Sequence, residues 1–166
     1  MKKLSAEQIQ NNWNKLLDTI HGFIDDDRKE NLLKMYEDLE GRMMFAPASG
    51  KGHFHNAMPG GYVEHILHII RFSLQVKEVW ENNGANINFT DEELVFAAMH
   101  HDLGKVGDMD NDYYIPNTSE WHRINQGKIY NVKNMFYIST WHSIMKMFST
   151  TSWCHSHPIF KMFIHF

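Results

Sequence analysis

A single cysteine, Cys154, stands in 166 residues. No disulfide can therefore form within the chain, and a reducing compartment, the cytoplasm, is the simple expectation. Long apolar runs are missing too. No stretch approaches the ~18 consecutive apolar residues that span a bilayer, and Lys2-Lys3 is not followed by the apolar segment of a secretory signal. No membrane partner is expected. Positive charge is in deficit: 16 Lys and Arg against 20 Asp and Glu give a net charge of −4. An acidic balance supplies no general pull toward nucleic acid or anionic lipid, although a local basic patch stays open. Repeats and low-complexity tracts are absent. The most unusual absence is regional: all 20 acidic residues lie in 1–120 and none in 121–166.

Hydrophobic residues make up 43% and charged residues 22%, the balance of one globular domain with a sizeable core. Ser5 and Gln8 read as a capping box. Behind it Ile9, Trp13, Leu16, Leu17, Ile20 and Ile24 recur at helical spacing. Asp25-Asp26-Asp27 suits the start of a second helix carrying Leu32, Leu33, Tyr36, Leu39 and Met43. Two prolines and four glycines mark 45–61 as a loop. A third helix is expected from Tyr62 to Trp80, with Val63, Ile66, Leu67, Ile70, Leu74 and Val79 on its buried face. Thr90 and Glu93 open a fourth, which Gly104 is placed to stop. Residues 105–120 read as loop, with a short strand at Tyr113-Tyr114-Ile115. The expected fold is all-α, a helical bundle with a short β-hairpin after the fourth helix.

The chemistry concentrates in Ala97-Ala98-Met99-His100-His101-Asp102-Leu103-Gly104-Lys105. An apolar helix delivers His101 and Asp102 side by side just before a glycine. Imidazole nitrogen with carboxylate oxygen suits divalent Mn, Fe, Co or Zn. His65, thirty-six residues earlier, lies on the third helix with Ile66 and Ile69, and packing of the two helices would bring it to the pair. The plain alternative is a core histidine held by a carboxylate, with His65 unrelated. His100 points about 100° away from His101 on a helix and is not expected to share its ion. His53 and His68 read as polar loop and surface residues. Asp108, Asp110 and Asp112 alternate like a calcium loop but lack its glycine and closing glutamate.

One His followed by His-Asp-x-Gly-Lys resembles the HD-domain superfamily of metal-dependent phosphohydrolases. Gly60-Gly61-Tyr62-Val63-Glu64-His65 is similar to the Gly-Gly-x-x-Glu-His that leads into the first ligand helix of several of its families. The resemblance covers about residues 50–107. It implies an HD-type bundle in which His65, His101 and Asp102 bind a divalent ion (Mn, Fe, Co, Zn or Mg). It implies that Lys105 contacts substrate phosphate, and that His55 lies where relatives hold a substrate-side histidine. The activity implied is hydrolysis of a small phosphorylated substrate, such as a nucleotide, by metal-activated water. Asp102 and Lys105 would be the catalytic residues, with His100, Glu64 or His122 relaying a proton. The family's last Asp ligand has no counterpart after Glu120, so Asp108, Asp112 or water would take its place. A catalytically weak or inactive module of the same fold, holding metal or nucleotide, is the alternative. A 3′–5′ exonuclease subunit rests only on the Gly-Gly lead-in.

Residues 1–130 are thus read as the HD-type domain and 131–166 as an atypical tail. Residues 121–166 carry five Lys or Arg and no acid, a formal +5, against 11 − 20 = −9 upstream. Two readings fit: a basic, aromatic segment packed on an acidic body, or a change of reading frame after about Tyr130. A sequence selected for this fold would not lose every acid and end on the apolar Met162-Phe163-Ile164-His165-Phe166, so 131–166 is expected to pack poorly and to add no carboxylate to the site.

Overall fold

The computed structural model describes residues 3–25, 28–107 and 110–133. Four helices make the body: α1 (Ala6–Phe23), α2 (Arg28–Met43), α3 (Gly61–Asn82) and α4 (Asp91–His100). A 3-10 turn, Leu103–Lys105, follows α4. Then come β1 (Tyr114–Pro116), α5 (Glu120–Gln126) and β2 (Tyr130–Val132). The fold is helical with one small antiparallel sheet, as an all-α chain with a short hairpin requires. No helix among the described residues is long and apolar enough to cross a membrane.

Both capping boxes form. Ser5 Oγ accepts from Gln8 N at 3.1 Å while Gln8 Oε1 accepts from Ser5 N at 2.8 Å. Thr90 and Glu93 repeat the exchange at 3.1 and 2.7 Å. Each pair satisfies amides that a helix start leaves open. The periodic apolar residues of α1 and α2 meet in the core, where Trp13 stacks on Tyr36 with ring centroids 6.1 Å apart. Leu16, Ile20, Ile24, Leu32 and Met43 are wholly buried there, and Tyr62, Ile66, Val95 and Met99 join them from α3 and α4. Helix α1 touches all three others, and α3 packs chiefly on α4.

Two boundaries and one buried face differ from expectation. Val79 is 57% exposed, because the C-terminal turns of α3 run past the body and also expose Phe72, Val76 and Trp80. Leu67 and Leu74 are only half-buried. Helix α4 ends at His100, and Gly104 lies inside the 3-10 turn instead of stopping the helix. The strand begins at Tyr114, not Tyr113, and pairs Tyr114 with Val132, Ile115 with Asn131 and Pro116 with Tyr130. The connection between the strands holds α5, capped by Ser119 and ended by Gly127 in the left-handed region.

The segment between α2 and α3 is a folded platform. Ala46, Ala48, Ala57 and Met58 are buried, and Ser49 Oγ donates to the His55 carbonyl at 2.8 Å. The sheet docks on this platform: Ile129 N and Tyr130 N both reach Gly50 O at 3.0 Å, and Gly52 N reaches Gly127 O at 2.8 Å. Lys51 and Lys128 form a further antiparallel bridge. Residues 134–166 lie outside the described residues, and with them the expected poor packing of the tail and its missing carboxylate. Asp26, Asp27 and Asp108 lie outside them as well.

Candidate metal centre

His65 is one turn into α3, and its position is set by the two glycines before it. Gly60 has φ +78°, and a Cβ there would lie 2.8 Å from Ile9 Cγ1. A Cβ on Gly61 would lie 2.0 Å from the Asn56 carbonyl oxygen. Only glycine lets the platform and the start of α3 approach this closely. From the other side, α4 ends and the chain turns at His101 and Asp102.

Three atoms converge. His65 Nε2 and His101 Nε2 are 3.2 Å apart, and each lies 3.4 Å from Asp102 Oδ2. Together they form a His-His-Asp group with ligand atoms that all fall within 4.8 Å of one another. Donors around a tetrahedral ion with bonds of ~2.0–2.1 Å stand about 3.3 Å from each other, so the triangle fits one ion. The side chains of His65, His101 and Asp102 are 13%, 20% and 17% exposed, so the group is part-buried and still reached by solvent.

His101 is oriented by its own helix. Its Nδ1 lies 2.8 Å from the Ala98 carbonyl, which can only accept, so Nδ1 carries a hydrogen, and when the ring is neutral Nε2 is the nitrogen left to bind a metal. A backbone carbonyl holding the far nitrogen is the usual support of a metal-binding imidazole. Burial opposes a charge on His101, but the hydrogen bonds to Asp102 and Ala98 outweigh it and raise its pKa. Burial likewise opposes ionisation of Asp102. Its bonds from His101, His65 and Lys105 win, and its carboxyl stays far below the usual carboxylate range. Lys105 Nζ sits 2.6 Å from Asp102 Oδ2, so a cation already faces the ligand oxygen.

The remaining candidates separate cleanly. The His55 ring lies 4.7 Å from the His65 ring. Its pKa is lowered by burial, then by the neighbouring charges of His65 and Lys105. His55 and Lys105 both line a cavity of about 420 Å³. His100 is turned into the core: its Nδ1 donates to the Phe96 carbonyl at 2.7 Å and its Nε2 faces Tyr36 Oη at 3.4 Å. Burial pushes its pKa down to about 4. It is a core histidine, which removes it as a proton relay. Glu64 is buried beside His65 in sequence. His122 is exposed on α5 and bonded to Ser119 Oγ at 2.7 Å. Asp112 pairs with Arg42 at 2.8 Å and is not a further ligand. His53 and His68 are exposed. His142, His155, His157 and His165 lie outside the described residues.

Sequence reading missed the other wall of the cavity, Tyr114 and Tyr130. Their strands are three residues each, too short for alternation to show. No protein-family profile matches the chain, and neither a curated protein nor a solved structure does.

Proposed function

We propose that this chain is an HD-type bundle that hydrolyses a phosphate ester or anhydride of a nucleotide or similar metabolite at a divalent-metal centre held by His65, His101 and Asp102. The observation that carries the reading is the triangle of His65 Nε2, His101 Nε2 and Asp102 Oδ2 with sides of 3.2, 3.4 and 3.4 Å. Two imidazoles and one carboxylate suit Mn, Fe, Co or Zn better than Mg. Three protein ligands leave coordination positions open, as in catalytic rather than structural sites. When bound, the ion supplies Lewis acidity and lowers the pKa of its water toward neutrality.

This chain's own residues do the rest. Lys105 reaches the edge of the group and can leave Asp102 for a phosphoryl oxygen, stabilising charge that grows there. His55, beside His65 and held toward its neutral form, is placed to take a proton from attacking water. In the hydrolysis the water oxygen bonds to phosphorus, the P–O ester bond breaks, and the leaving oxygen takes a proton.

A second reading is a binding module without turnover. The 2.6 Å contact of Lys105 Nζ with Asp102 Oδ2 favours it, because an ammonium so close competes with a metal ion. Phosphate release from a panel of nucleotides, with Mn²⁺ and then EDTA, separates the two. Release that needs Mn²⁺ and is lost in Asp102→Ala supports hydrolysis. Mn²⁺ binding with no release from any compound supports the module.

A further inference from the structure

Beside the His-His-Asp group the platform and the sheet form an open cleft of about 420 Å³, within the range of about 300–1,000 Å³ usual for small-molecule sites. Its walls join two chemistries. Tyr114, Tyr130 and Phe54 supply ring surface, and Lys51, Lys105 and Lys128 supply charge. No Asp or Glu lines it.

Lys51 is exposed, and Lys105 and Lys128 are half-buried. Lys51 and Lys128 face each other across an antiparallel bridge, which directs both side chains to one side of the ribbon. Like charges directly opposite each other are unfavourable. Among the described residues neither ammonium has a carboxylate partner. Lys51 lies over the Phe54 ring, 5.7 Å from its centroid, and Lys128 has no ionic contact. An anion is what this pair lacks. Lys105, the third cation, already reaches the metal group at 2.6 Å.

The tyrosine rings pack on each other. Their ring centroids are 6.1 Å apart with planes at 61°, and a Cβ on Gly50 would approach Tyr114 Cε1 to 3.2 Å, so the platform braces that ring. The two rings meet edge to face and both line the cavity, so a planar base can stack on the face of one of them, as bases do on the aromatic residues of nucleic-acid-binding proteins.

We propose that this cavity binds a nucleotide with more than one phosphoryl group, its base against Tyr114 and Tyr130 and its phosphoryl groups spread from Lys105 to the Lys51–Lys128 pair. Lys105 belongs to the His-His-Asp group and Lys51 and Lys128 to the bridge, so the cleft offers phosphoryl groups two cationic positions. The assignment rests on the phosphohydrolase reading for the place of the reacting phosphate, but the base and lysine contacts lie outside the metal group.

Calorimetric binding to the full chain, with EDTA to prevent turnover and again with Mn²⁺, tests it. The probes are adenosine 5′-diphosphate, ribose 5-phosphate and inorganic pyrophosphate. The nucleotide is expected to bind at least tenfold tighter than either other probe. Tyr114→Leu with Tyr130→Leu should remove that advantage and leave pyrophosphate binding unchanged, while the Tyr→Phe pair, which keeps both rings, should retain it. Lys51→Ala with Lys128→Ala should weaken nucleotide and pyrophosphate alike by about tenfold. Equal binding of nucleotide and pyrophosphate, or undiminished nucleotide binding in the folded Leu or Ala pairs, overturns the proposal. If Mn²⁺-dependent phosphate release persists in that case, the hydrolase reading stands without the cavity. If nucleotide binding follows the tyrosines and lysines but nothing is hydrolysed, the cavity assignment is supported and the hydrolase reading fails.

Discussion

Two imidazole nitrogens 3.2 Å apart beside one carboxylate oxygen crowd three electron-rich atoms, an arrangement that is costly until a cation or shared proton sits among them. At the residue scale the convergence of the three was legible because adjacent His101 and Asp102 stand at a helix end, with His65 on an earlier helix that packs against it. Lys105 was legible as a cation but not as the partner of Asp102. Asp102→Ala should lower metal affinity by more than the ~10–100-fold that follows loss of an outer hydrogen-bond partner, and phosphate release should fall with it. Lys105→Ala should keep or improve metal binding while release drops on the order of 10²-fold; metal titrations beside a release assay check both. His100 gives a pH effect of known sign. Its pKa is about 4 in the fold against 6.5 ordinarily, so the unfolded chain takes up a proton first as pH falls. Stability is therefore lost between about pH 6.5 and 4, on the order of 3 kcal/mol. Urea midpoints across that window should fall for the native chain and fall less for His100→Leu; parallel curves would assign the acid limb to other groups.

At the element scale, capping and periodicity located α1 to α4 because each depends on residues within one or two turns. What they could not supply is the partner. Val79 keeps the helical spacing of a core residue yet is exposed, since nothing in the sequence states where the body under α3 ends. Helix α5 was missed because it has seven residues and buries none, so no apolar stripe marks it; Ser119 and Gly127, its caps, were the only local signal. Gly60 and Gly61 read as a family feature in the sequence and have a steric reason in the structure. Gly61→Ala should cost about 1–3 kcal/mol, because its Cβ would meet a backbone carbonyl oxygen at 2.0 Å. Gly41→Ala, with nothing within 4 Å of its Cβ, should instead stabilise α2 by up to about 1 kcal/mol. Thermal unfolding of the two variants checks the contrast.

At the scale of the whole molecule, one helical body and one small sheet together frame the His-His-Asp group and the cleft beside it. The helical class could be read from the sequence because four long segments share one periodicity. The sheet could be read only as a hint, since its pairing joins residues 114–116 to 130–132 across a helix. A site assembled from α3, the end of α4, the platform and the sheet implies that an ion bound there ties these elements together. Saturating Mn²⁺ should therefore raise the unfolding temperature of the native chain and not that of Asp102→Ala, since a ligand stabilises the state that binds it.

The measurement that bears most directly on the whole account is metal content after equilibrium dialysis, comparing the native chain with His65→Ala and Asp102→Ala. The comparison matters because twelve histidines in 166 residues offer adventitious ligands, and only variants identify the group that holds the ion. The account predicts at least one tightly held Mn, Fe, Co or Zn ion in the native chain, lost in both variants while their helix content is kept. Equal metal content in all three proteins, or none in the native chain, would contradict it.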